Sequence, residues 1–223
     1  DVALRADTSF GDAAENNSKG CGTVMRDAPF GFIAHSAPER AFDLAAETAS
    51  TTHGHPSASF SSGALAGIIA FVSQGRELRA AVEHTLPLLQ TKPEAHEVLD
   101  VLERARIGRA DNWRERLPEL GEGWVAEEIA RYLGPLRSRR RNLRSAIIAA
   151  VNHGGDSDST GAITGNIVGA AYGAGFLPGI WVEQVELRDV IEILAKDLAG
   201  LLEGNVDPET LQSRDQDGEP RSV

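Results

Sequence analysis

The sequence holds a single cysteine, Cys21, so no disulfide can form within the chain. With no disulfide and no secretory leader at its start, the chain is expected to work in a reducing cytoplasm. Aromatic residues supply only 5% of it, against 41% hydrophobic residues in all, so small aliphatic side chains must build the core. Small side chains let helices approach closely, which points to helix-on-helix packing. No apolar run nears the ~20 residues of a membrane span. The longest, Ala64 to Val72, reads as part of a buried helix, and no membrane partner is expected. Positive charge is scarce too: 22 Lys and Arg stand against 33 Asp and Glu, a formal net charge of −11. That balance opposes nucleic-acid binding. It leaves room for a small anionic ligand, because backbone N–H groups and a metal ion can set a local positive field. An initiator Met is lacking as well. The first residue is Asp1, and the expectation is a chain that has been processed or trimmed.

What is present reads as a single all-α domain over residues 1–204, since 223 residues suffice for one sizeable core and hardly for two. Helical spacing of Ala41, Leu44, Ala45 and Thr48 predicts a helix from Pro38 to Thr51. Further helices are expected over Ser59–Ser73, Glu77–Leu89 (perturbed by Pro87), Pro93–Ile107, Trp124–Leu133 and Asn142–Val151. One more should begin at Ser159 or Thr160 and run to Tyr172. A last one, Glu186–Leu202, carries the apolar stripe Val190, Ile193, Leu194, Leu198 and Leu201. Residues 1–16 read as a loop, and residues 205–223 as an acidic, unpatterned, disordered tail. Gly161, Gly165, Gly169 and Gly173 recur every four residues. Each costs a helix about 1 kcal/mol relative to Ala, so the stripe predicts close approach of another helix.

Three segments carry candidate chemistry. In Gly154-Gly155-Asp156-Ser157-Asp158-Ser159-Thr160, two carboxylates and a hydroxyl stand on one short arc. Hard oxygens of this kind suit Mg²⁺, Mn²⁺ or Ca²⁺ rather than Zn²⁺. The plainer alternative is that Asp158 and Ser159 cap the following helix. An EF-hand is excluded, because position twelve of such a loop would be Ile167 instead of Glu. The second segment, Asn17-Ser18-Lys19-Gly20-Cys21-Gly22-Thr23-Val24-Met25-Arg26, is a glycine-bearing loop whose amides could face a phosphate or sugar, or simply a surface turn. It is not a P-loop, because its Lys precedes the glycines. The third, Thr52-His53-Gly54-His55-Pro56, has two histidines one residue apart but no third soft ligand nearby, so zinc ranks low. Cys21 as a nucleophile with His53 as its partner ranks lower still. The basic run Arg137 to Arg144 reads as a solvated helix start.

Taken in this order and spacing, the three segments resemble the ADP-ribosylglycohydrolase family, which includes dinitrogenase-reductase-activating glycohydrolase; the likeness extends over roughly Asn17 to Leu202. The resemblance implies a compact all-α fold and hydrolysis of an N- or O-glycosidic bond at ribose C1″, releasing ADP-ribose from a modified side chain or small acceptor. It implies that Asp156, Asp158 and Ser159 ligate Mg²⁺, two ions in all, with Mn²⁺ a possible substitute. It also implies that Asn17, Ser18, Gly20, Cys21, Gly22, Met25, Arg26, His53 and Gly155 line the ADP-ribose pocket. The expected partner is therefore ADP-ribose or an ADP-ribosylated protein. The family also carries an N-terminal Thr/Ser-Asp-Asp metal triplet, and none precedes Asn17 here. Three protein ligands cannot saturate two ions that take about six oxygens each. The chain is thus expected to hold half of the site, with catalytic residues in an N-terminal part it lacks. The alternative is a non-catalytic ADP-ribose-binding or crystallin-like structural member.

Overall fold

The structure, a computed structural model, describes residues 12–107, 143–152 and 155–211. The expected Trp124–Leu133 helix and most of the basic run lie outside them, as do His153 and Gly154. The described residues form α-helices and one 3-10 turn and contain no strand, so the all-α expectation holds. The chain divides into one unit up to Phe176 and a second from Leu177 onward.

In the first unit, α3 (Pro56–Ser73) is the central helix, with α1 (Ala28–Ile33), α2 (Pro38–Ser50), α4 (Leu78–Gln90) and α5 (His96–Ile107) packed on it. Its fourteen buried residues run almost without a break from Ser57 to Val72. By length and composition this helix matches a membrane span, but it is the wrapped core of the fold. It starts three residues earlier than expected. The ring Nδ1 of His55 accepts the Ser57 N–H at 3.1 Å, and Pro56, with its fixed φ and missing N–H, suits the first turn. Ala41, Ala45 and Ala49 on α2 are fully buried, and the first two pack with Ala66 and Ala70 of α3. The closeness is steric: a Cβ on Gly63 would stand 2.9 Å from the Phe42 carbonyl oxygen. Around this alanine seam lies the larger core of Phe42, Leu65, Ile68, Ile69, Leu89, Leu102, Ile163 and Ile167.

Pro87 does not disturb α4, which runs on to Gln90. Pro87 is exposed, so its ring lies on the solvent side of the helix and displaces no core packing. The six-residue α1 has too few turns for periodicity to reveal. After it in the core come α6 (Leu143–Val151) and α7 (Ser157–Tyr172), tied by the Thr160 hydroxyl donating to the Ala150 carbonyl at 2.6 Å. α7 packs on α3, with Ile163 and Ile167 in the core they share. The glycine stripe meets the expected close approach at Gly161, where a Cβ would stand 2.9 Å from the Val151 side chain of α6. Among the described residues of the first unit, none lies within 4 Å of a Cβ built on Gly165, Gly169 or Gly173.

The second unit holds α8 (Gly179–Gln184) and α9 (Arg188–Leu202), joined through Leu187 in the left-handed region at φ 57°. None of their residues is buried, and Leu194 of the expected stripe is 51% exposed. Beyond α9, Asn205 and Val206 donate back to the Gly200 carbonyl, at 2.8 and 3.1 Å; residues 212–223 lie outside the described set.

Candidate functional site

The site is assembled where the loop before α1, the turn between α2 and α3, and the start of α7 meet. Asn16 fastens the first two together. Its Oδ1 accepts the N–H groups of Ser18 and Gly54, both at 3.0 Å, and its Nδ2 donates to the Thr52 carbonyl at 3.1 Å. The two strands of chain run so close that a Cβ on Gly54 would stand 2.0 Å from the Asn16 carbonyl oxygen and 2.5 Å from that of Ala14. Only glycine fits there. This contact lays the His53 ring against the loop: a Cβ on Gly20 would lie 3.1 Å from Nε2, and one on Gly22 3.8 Å from Cε1. Ser18 Oγ accepts the Gly20 N–H at 3.3 Å, curling the loop, while Asn17 is exposed at its start.

The other side of the loop reaches α7. Asp156 is the N-cap: its carboxylate accepts the Ser159 N–H at 3.4 Å and the Ser159 hydroxyl at 2.8 Å. The helix therefore begins at Ser157, and neither Asp158 nor Ser159 is the cap. Hydrogen bonding with Asp158 chiefly, then with Ser159 and with the Cys21 thiol, holds the Asp156 carboxyl below its usual range. Two carboxyls within hydrogen-bond reach repel each other unless a proton or cation lies between them. Cys21 is thus turned to Asp156, in keeping with the low rank of a Cys21–His53 pair. Met25 completes the junction, its sulfur 3.2 Å from Ser159 Oγ and its carbonyl accepting from Asn166 Nδ2 at 3.2 Å. Gly155 is exposed beside them.

The two histidines are not a metal pair. Nδ1 of His55 is committed to capping α3, and Nδ1 of His53 lies 2.9 Å from the Thr52 hydroxyl. Burial first, and then Arg26, lower the pKa of His53; burial and Lys19 lower that of His55. Both rings are therefore neutral at pH 7. Among the described residues no three His, Cys, Asp or Glu side chains group as a metal site. Lys19 is engaged with both oxygens of Glu97, at 2.7 and 2.8 Å, and is not a loose cation for a phosphate. Burial pushes the Glu97 carboxyl up, but the hydrogen bonds from Lys19 and from Ser57 outweigh it and leave the pKa low.

Arg26 donates from Nη2 to the Thr52 hydroxyl at 2.6 Å and lies 3.8 Å from Asp27. Asp27 itself is 1% exposed, and neither of its oxygens makes a well-formed hydrogen bond. Burial pushes its pKa up to about 6, with Ser62 and Arg26 offsetting only part of that cost. The sequence reading missed Asn16 and Asn166 as parts of the site, and gave Thr52 no role of its own within the His53 segment. Their roles rest on contacts to residues 26 to 141 positions away, and no local pattern marks those.

The family model described as ADP-ribosylglycohydrolase matches residues 2–208. ADP-ribosylarginine hydrolase Tri1 of Serratia proteamaculans is 24% identical over 198 residues, 87% of this chain and 50% of that protein. ADP-ribosyl-[dinitrogen reductase] glycohydrolase of Rhodospirillum rubrum is 40% identical over 50 residues, 22% of this chain and 17% of that protein. ADP-ribosylhydrolase ARH1 of Dictyostelium discoideum is 43% identical over 58 residues, 26% of this chain and 15% of that protein. The chain spans about half the length of the Serratia relative. With the loop, the His53 turn and the Asp156 cap brought to one place and the match extending over nearly all of its length, the chain belongs to the ADP-ribosylglycohydrolase family.

Proposed function

We propose that the chain binds the ADP-ribose part of an ADP-ribosylated side chain, arginine being the first acceptor to test, and takes part in hydrolysing its glycosidic bond. In that reaction water adds at ribose C1″, the bond to the acceptor nitrogen or oxygen breaks, and the acceptor leaves with a proton. The observation that carries the reading is the convergence of three segments far apart in sequence. Cys21 and Met25 touch Asp156 and Ser159, while Gly20 and Gly22 face His53. The acceptor comes from the relatives' names, two of which specify ADP-ribosylarginine.

The donor set fits part of a site for a hard cation. Asp156 and Asp158 bring two carboxyls into mutual reach, and Ser159 adds a hydroxyl 2.8 Å from one of them. These three residues would hold Mg²⁺ or Mn²⁺, which would supply water activated at neutral pH and orient the ribose hydroxyls. The Gly20–Gly22 loop lacks side chains on its inner face, so its amides can come close to a pyrophosphate. His53, neutral, can donate a hydrogen bond there without needing a counter-charge. Ser18 and Asn16 fix the curl of the loop by accepting the N–H groups of Gly20 and Ser18.

A non-catalytic ADP-ribose binder is the second reading, favoured by a set of three protein ligands where two hard cations would take about six oxygens each. One experiment separates them: the chain is incubated with an ADP-ribosylarginine peptide, with and without Mg²⁺, and free ADP-ribose is measured by chromatography. Mg²⁺-dependent release supports hydrolysis. Binding of the peptide without release supports the binder, and neither binding nor release overturns both.

A further inference from the structure

Thr52 makes three contacts whose bookkeeping determines where the proton of His53 sits. Its hydroxyl oxygen lies 2.6 Å from Arg26 Nη2, 2.9 Å from His53 Nδ1 and 3.4 Å from the Ala49 carbonyl oxygen. Arginine can only donate, so that contact uses a lone pair of the hydroxyl. The one hydroxyl proton must go to Ala49 or to His53. The Ala49 carbonyl already accepts the backbone N–H groups of Thr52 at 3.2 Å and His53 at 3.1 Å, which fill its two lone pairs. The third contact there is also the longest of the three. The proton therefore goes to Nδ1, and a guanidinium donating to the same oxygen makes the hydroxyl a stronger donor still.

We propose that Thr52, polarised by Arg26, is a positioning residue that holds His53 in the form with its proton on Nε2, so that the ring presents a fixed N–H donor to the Gly20–Gly22 loop. Nε2 is the ring atom nearest Gly20, which puts the donor at the loop proposed to hold the ADP-ribose pyrophosphate or ribose. In this scheme Arg26 acts on the ligand through Thr52 and His53. The ligand part of the inference rests on the proposed ADP-ribose reading; the tautomer part does not.

The test is a long-range proton–nitrogen correlation spectrum of the chain labelled with ¹⁵N-histidine at neutral pH, the His53 signals being assigned by their loss in His53→Gln. The expected pattern is a pyrrole-type Nε2 and a pyridine-type Nδ1 in the parent. In Thr52→Val the two nitrogen shifts move toward a tautomer average, and Thr52→Ser restores the parent pattern. A protonated Nδ1 in the parent, or a Thr52→Val spectrum like the parent's, overturns the proposal, and the parent spectrum alone decides it if Thr52→Val does not fold. Calorimetric titration with ADP-ribose is the second readout. Affinity should fall about five- to tenfold in Thr52→Val, the loss of about one hydrogen bond, and recover in Thr52→Ser. Unchanged affinity in Thr52→Val overturns the role toward ligand. No ADP-ribose binding in the parent, with the Nε2–H pattern intact, contradicts the ADP-ribose reading and leaves the tautomer assignment standing.

Discussion

Replacing Gly54 by Ala asks whether the site depends on two strands of chain that only a missing side chain lets touch. The new Cβ would stand 2.0 Å from the Asn16 carbonyl oxygen and 2.5 Å from that of Ala14. Both obstacles are backbone, which cannot rotate away as a side-chain tip can. Relieving the contact moves the loop by about 1 Å, enough to break hydrogen bonds of ordinary length. Three are at stake: Gly54 N–H to Asn16 at 3.0 Å, Asn16 to the Thr52 carbonyl at 3.1 Å and Ala14 N–H to the Ser50 carbonyl at 2.8 Å. At about 1 kcal/mol each the loss is about 2–4 kcal/mol, or about 5–15 °C in Tm for a chain of this size. The ring of His53 would lose its seat on the Gly20–Gly22 loop in the same movement. Thermal unfolding followed by circular dichroism measures the first effect, and ADP-ribose titration the second. A variant within about 0.5 kcal/mol of the parent, the range of an ordinary surface substitution, would refute the packing argument.

Gly165→Ala is the opposite case. Nothing among the described residues obstructs its Cβ, so the variant should be more stable by up to about 1 kcal/mol in urea unfolding, and a loss of stability would mean that the stripe is covered after all. Asp27→Asn tests the buried carboxyl. Between the unfolded value of 3.8 and the folded value of about 6, the folded chain holds a proton that the unfolded chain has released, so stability falls as pH rises through this window. The variant should therefore be more stable than the parent at pH 7, by on the order of 2–3 kcal/mol, and no more stable near pH 4; a pH-independent difference contradicts the assignment. Asp158 is exposed, so Asp158→Ala should change the melting temperature little in the absence of divalent ions, whereas Asp156→Ala should lose about 1 kcal/mol of capping. Added Mg²⁺ should raise the melting temperature of the parent and not that of Asp158→Ala, and an equal rise in both would contradict cation binding at this pair.

Much of the fold was legible because long helices advertise themselves. The faces of α2 and α5, through Ala41 and Ala45 or Val98, Val101 and Leu102, are buried as their spacing predicts. The misses have physical causes. His55 is an uncommon N-cap, so the sequence pattern starts α3 three residues late. α1 and α8 are six residues long, too short for a 3.6-residue period to show. The four glycines, three on α7 and Gly173 at its C-cap, have a spacing that fits a tight helix contact equally well whether or not a partner arrives. At the site, the chemistry-bearing types were visible in the Asp156 loop, yet the spacing alone left the cap undecided between neighbours. Asn16 and Thr52 act through partners distant in sequence, and a single sequence contains no record of such contacts.

The central claim is that the Gly20–Gly22 loop, His53 and the Asp156 cap form one ADP-ribose site. It is tested most directly by calorimetric titration of the chain with ADP-ribose in the presence and absence of Mg²⁺. The account predicts saturable binding at one site per chain, strengthened by Mg²⁺ in the parent and not in Asp158→Ala. No binding under either condition by a chain that melts cooperatively would contradict it.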